Sequence, residues 1–160
     1  MSNLYKLYPF KEGYRFTNAT GDEYYAYFTS FELQTPYHTT IETVSFGFEC
    51  KRTDLQAKQV YDESTKKTII HLIEDYFRLN GDNALLYICL NSDEMARHRS
   101  VIFGKWFNEF GDGYERYKSD IKTEKLNFYS SVIVKESNPN KTKLVEAFNF
   151  TIDYWFPESQ

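Results

Sequence analysis

The 160-residue chain has little with which to staple, hinge or anchor itself: two cysteines, four prolines and seven glycines. Cys50 and Cys89 make neither a disulfide framework nor a spaced ligand set for zinc, and a pair of thiols in an intracellular chain reads as two small buried hydrophobes. So little proline and glycine excludes collagen-like and linker-like chains. No stretch approaches the ~18 apolar residues of a membrane-spanning helix. The opening Met-Ser-Asn-Leu-Tyr-Lys has neither the basic start nor the apolar run of a secretory signal, so the expectation is a cytoplasmic protein away from membranes. Basic charge is short as well, 19 Lys and Arg against 23 Asp and Glu for a formal net charge of −4. Direct nucleic-acid binding and attachment to anionic lipid both rest on an excess of cations, and this balance argues against each, leaving room only for a local basic patch.

What is abundant is aromatic. Fourteen Phe, fourteen Tyr and two Trp make 19% of the chain, ample for burial and folding. Tyr and Phe favour pleated, half-buried positions, so this load points first to a strand-rich scaffold and second to a binding surface. The length is that of one ordinary domain, and residues 1–160 are read as a single one.

Along the chain, Tyr14–Phe16 and Tyr24–Phe28 read as a hairpin joined through Asn18-Ala-Thr-Gly21-Asp22. Ile41–Cys50 alternates, with Val44, Phe46, Phe48 and Cys50 on one face, and predicts a third strand. Lys51–Ser64 is charged and patternless, an exposed loop. Thr65–Asn80 carries Ile69, Ile70, Ile73, Tyr76 and Phe77 at helical spacing, with Gly81 placed to cap it and Lys66 and Lys67 set against the helix dipole. Ala84–Leu90 is apolar on both faces, as a strand covered on both sides would be. Asn91 or Ser92 then caps a second helix that Gly111-Asp-Gly113 ends. Two strands near Lys125–Lys135 and Lys143–Ile152 complete the order β-β-β-α-β-α-β-β, the latter because Leu144, Phe148, Phe150 and Ile152 alternate. The expected fold is α+β, a mostly antiparallel sheet with two helices on one face.

The chain has no complete catalytic, phosphate-binding or metal motif, and no cofactor or metal is expected. His38, His71 and His98 are scattered without ligand spacing, and a core strand gives Cys89 no reason to ionise beside His98. One place stands out. In the second helix Met95, Ile102, Phe103, Trp106 and Phe110 form the apolar stripe, and Arg99 falls within it. A core-directed cation needs an acid or a bound anion, unless it snorkels to water. Asp93 lies in the turn after the buried strand, where sheets present ligand-binding groups, yet a helix's first turn and an (i, i+4) pair with Arg97 explain an acid there without any chemistry. Asp93, Arg97, Arg99 and Trp106 are thus the candidate binding residues. At the other end, Tyr154, Trp155 and Phe156 must dock on their own domain or bury in another chain, and form a candidate interface.

Tyr14-Arg-Phe16-Thr with Gly21 and Tyr24, the Thr68-Ile-Ile segment before Tyr76-Phe77, and Tyr87-Ile-Cys89-x3-Asp93-x5-Arg99-x3-Phe103-x2-Trp106-Phe107 resemble an uncharacterised family of small bacterial proteins, common in Bacteroidetes and known as a domain of unknown function. The resemblance spans Tyr14 to Phe150. It implies a bacterial single-domain protein and brings no activity, cofactor or catalytic residue.

The leading expectation is a non-enzymatic binding module, with a protein partner or self-association through the aromatic sheet face or the tail. The alternative is a small enzyme or ligand-binding protein acting on a small anionic molecule at the Asp93–Arg99 junction. A further alternative is a regulator in a toxin–antitoxin or phage-related system.

Overall fold

A computed structural model describes residues 3–56, 61–90, 96–119, 121–122 and 127–156. Four strands open the chain: β1 (Tyr8–Phe10), β2 (Gly13–Thr17), β3 (Glu23–Gln34) and β4 (Thr40–Lys51). Then come α1 (Glu63–Leu79), β5 (Leu85–Leu90), α2 (Ala96–Phe110), β6 (Tyr114–Lys118), β7 (Ile121–Lys122), β8 (Asn127–Lys135) and α3 (Lys141–Trp155). The sheet runs β1-β2-β3-β4-β5-β8-β6, with β7 also on β8 in the register of β6. Each described pairing is antiparallel except β4 with β5, so the fold is α+β as expected.

The expected order and layering need correction. Lys143–Ile152 is a helix, not a strand. Its buried residues Leu144, Ala147, Phe148, Thr151 and Ile152 recur at helical intervals, and the small Ala147 and Thr151 were outweighed in the sequence by the alternating large ones. The short strands β1, β6 and β7 are additional to that order, because Pro9 and the charged Glu115-Arg116 mask any alternation in the first two and β7 is only two residues long. The layering therefore changes from two to three. α1 and α2 do share one face, packed on Phe16, Phe46, Leu85, Tyr87 and Ile133, while α3 covers Leu33, Leu86, Phe128, Val132 and Val134 on the other.

Local chemistry explains the helix ends. Asp62 caps α1 by accepting the Thr65 amide at 2.6 Å, which starts the helix earlier than expected and puts Glu63 in its first turn and Arg78 in its last. The charges at its termini thus favour the dipole, and Lys66 is engaged by Glu63 at 2.9 Å and by Glu109 of α2 at 2.7 Å. At the other end Gly81 stays out of the left-handed region. The Asn80 amide and side-chain Nδ2 instead both donate to the Tyr76 carbonyl at 2.9 Å. Tyr5 fastens the N-terminal segment to α1, its amide donating to Thr68 Oγ1 at 3.0 Å and its hydroxyl to Asp62 at 2.6 Å.

β5 is buried on both sides as the sequence indicated. Leu85, Tyr87 and Cys89 enter the α1/α2 core and Leu86 the α3 core. Among the described residues no helix is long and apolar enough to cross a membrane.

Candidate functional site

β4 and β5 are paired only through Val44 with Leu85, Ser45 with Leu86 and Phe46 with Tyr87, although the strands continue to Lys51 and Leu90. Past Phe46 and Tyr87 the described ladder ends, although an added Cβ on Gly47 would still meet the Ile88 carbonyl at 3.6 Å. This gap in the pairing lies toward the carboxyl ends of the two parallel strands, where open sheets present ligand-binding groups.

On the α1/α2 side aromatic rings roof this gap. Phe103 stacks on Tyr87 at 4.0 Å between centroids and Trp106 on Phe48 at 5.6 Å, while Tyr61 meets Trp106 edge-on at 5.3 Å. Trp106 is therefore a buried support, not a surface residue. The Cys89 thiol donates to the Tyr87 hydroxyl at 3.2 Å. Burial pushes the Tyr87 phenol well above its usual range and the nearby Cys89 adds to that, against the opposing charges of Arg99 and Arg116. Burial likewise raises Tyr61 to about 12, with Cys50 and Cys89 adding and Arg99 and Arg52 offsetting. Both phenols stay neutral near pH 7. Neutral hydroxyls beside guanidinium groups bind and orient; they offer no base.

Arg99 is half-buried. It lines a groove of about 370 Å³ together with Tyr27, Phe31, Ser45, Gly47 and Ile88, which stand on the face of the sheet opposite α2. Phe46, Phe48 and Cys89, which belong to the α1/α2 core, also line the groove, so both faces of the sheet contribute to it. Arg97 is exposed, and Asp93 lies outside the described residues.

The tail divides. Phe156 packs at home on Phe128, centroids 4.9 Å apart. Tyr154 is 71% and Trp155 44% exposed, and Trp155 meets Phe31 edge-on at 5.3 Å. Because Phe31 also lines the Arg99 groove, two sites far apart in the sequence adjoin one surface.

That surface continues beyond the reach of α3 as an aromatic ladder, whose residues the sequence does not single out although an aromatic sheet face is expected from it. Phe10 stands edge-on to Tyr25 at 5.8 Å and to Tyr27 at 5.7 Å. Tyr27 donates to Glu49 at 2.6 Å and Tyr25 to Glu23 at 3.1 Å, while Arg15 lies over Tyr8 at 5.1 Å and Lys51 over Tyr25 at 5.1 Å. Partial burial and the bond to Glu49 both raise the Tyr27 phenol. The signal was present, since Tyr25, Tyr27 and Phe31 alternate with Tyr24, Ala26 and Phe28 and make both faces of β3 apolar.

No curated protein and no solved structure matches this chain. Residues 61–150 match DUF6169, a family of unknown function, over a span that holds α1, β5, α2, β6, β8 and most of α3 and so includes Tyr87, Arg99 and Trp106. The chain belongs to that family.

Proposed function

We propose that the chain is a non-enzymatic binding module whose recognition surface is the open half of the sheet face, from Tyr8 and Phe10 across Tyr25 and Tyr27 to the rim at Trp155. One observation carries this reading: α3 covers only part of its face, and the rest holds aromatic rings edged by Arg15, Lys51, Glu23 and Glu49. Aromatics and arginine within a polar rim are the composition of protein interfaces. The neutral phenols of Tyr61 and Tyr87 beside the β4–β5 gap favour recognition over turnover.

A second copy of the chain is the first partner to test. Size exclusion with light scattering, run over a concentration series on the native protein and on Trp155→Ala, reads it. Phe156 is left intact because it packs in the core. Mass that grows with concentration in the native protein only, at equal melting temperature, supports the surface. A mass fixed at 19.1 kDa in both proteins rejects self-association through it.

A further inference from the structure

We propose that the groove over the β4–β5 gap binds a small monocarboxylate with an apolar body, its carboxylate on Arg99 and its body against Tyr27, Phe31 and Ile88. The inference rests on the reading of this surface as a recognition face and names what its deepest point takes.

Three observations converge. The first is the course of Arg99. A cation that serves only to cover its own helix lays its stem along that helix and turns to the nearest water. Arg99 lines a groove whose wall also holds Tyr27, Phe31 and Ile88 from the face of the sheet opposite α2. A guanidinium carries five N–H donors in a planar fork, enough to serve the chain and a carboxylate together.

The second is Gly47. Glycine weakens a strand, and inside one it marks a bulge, a bend or the close approach of another group. Here its φ is not in the left-handed region, its register with Tyr27 is regular, and an added Cβ would sit 3.6 Å from the Ile88 carbonyl, an ordinary contact. Neither backbone nor packing demands glycine at this position. What its smallness does is keep the groove floor open.

The third is the charge and size of the lining. Glu49 stands at the groove with its carboxylate accepting the Tyr27 hydroxyl, and that negative charge disfavours a ligand with several anionic groups. A volume of about 370 Å³ fits a small organic acid. A single negative head on an apolar body satisfies the cation, the acid and the aromatic walls together.

Phenylacetate, octanoate and the uncharged phenylacetamide, titrated calorimetrically into the full chain, test the proposal. At least one of the two acids binds, and phenylacetamide is weaker than phenylacetate by about tenfold, the worth of a charge-assisted hydrogen-bond pair. Arg99→Gln removes that preference. Gly47→Val, which fills the groove from the strand, abolishes binding of acid and amide alike. Circular dichroism confirms the fold of each variant, and Gly47→Val keeps the test decisive if Arg99→Gln does not fold. Absence of binding by both acids, equal affinity for phenylacetate and phenylacetamide, or affinity unchanged in a folded variant would overturn the site. Loss of self-association in Trp155→Ala without carboxylate binding would retire the ligand and keep the recognition face. Carboxylate binding in a strictly monomeric protein would keep the groove and retire the dimer.

Discussion

Under α1 and α2 the rings of the sheet touch one another: Tyr87 lies on Phe103, Phe48 on Trp106 and Phe28 against Phe46 at 5.1 Å. On the opposite face, outside the shelter of α3, the rings of Tyr8, Tyr25 and Tyr27 touch charges as well. The residue types are the same. What differs is coverage: a covered ring contributes through dispersion and exclusion of water, and an uncovered one is held by a carboxylate or cation and stays available. Aromatic content alone thus fails to separate core from binding surface, and the layer above each strand decides.

The largest expected effect probes the covered face. Phe103→Ala should cost about 3–5 kcal/mol in urea unfolding, since the ring is fully buried and stacked on Tyr87. A loss below about 1 kcal/mol would mean this face is as loosely held as a surface, contrary to the comparison.

Next comes alkaline stability. Burial raises the Tyr76 phenol from an ordinary value of 10.0 to about 12, and its hydroxyl donates to the Ala84 carbonyl at 2.6 Å. An acid whose pKa rises on folding adds stability that is complete below its unfolded pKa and fades as pH climbs through the folded one. Unfolding free energy should therefore fall between about pH 10 and 12, with Tyr76 supplying about 2 kcal/mol of the fall. In Tyr76→Phe that portion of the slope disappears, and phenolate absorbance in the native protein should show a group titrating near the upper limit. A slope identical in both proteins would remove burial of Tyr76 as its cause.

Asp62→Ala should cost about 1–2 kcal/mol, because the α1 cap and the Tyr5 anchor are lost together, and Asp62→Asn should recover most of it. Equal losses in the two variants would assign the effect to charge instead of capping. Smallest is Arg15→Ala, at about 0.5 kcal/mol for its exposed contact with the Tyr8 ring. If this change shifts association as well as stability, the open face is sharpened as a recognition surface.

Much of the fold was legible. The hairpin at Gly21, whose φ is +86°, the alternation of β4, the two-sided burial of β5 and the stop of α2 at Gly111 follow from local signals. At Gly111 an added Cβ would lie 2.5 Å from the Phe107 carbonyl, which is why the helix ends on glycine. α3 was lost because large residues outweighed small ones in judging its period. The start of α1 was lost because Asp62 sits in a charged stretch where one capping acid is hard to single out.

The site was legible in part. Helical spacing sets Arg99 among core-directed neighbours, but the groove it lines also takes residues of β3, β4 and β5 from the opposite face. Such a grouping depends on pairing between distant segments and leaves no local trace. The adjacency of Trp155 to the same groove, through Phe31, is equally non-local.

The three-pair ladder between β4 and β5 carries one more consequence. It joins the four N-terminal strands to the span matched by the family, residues 61–150, and it is where β5 would end the sheet if those strands were absent. Leu85 to Tyr87 would then be a bare apolar edge, a template for pairing with other chains. The N-terminal strands of this protein cover that edge, and a fragment trimmed to the family span should aggregate at lower concentration than the full chain.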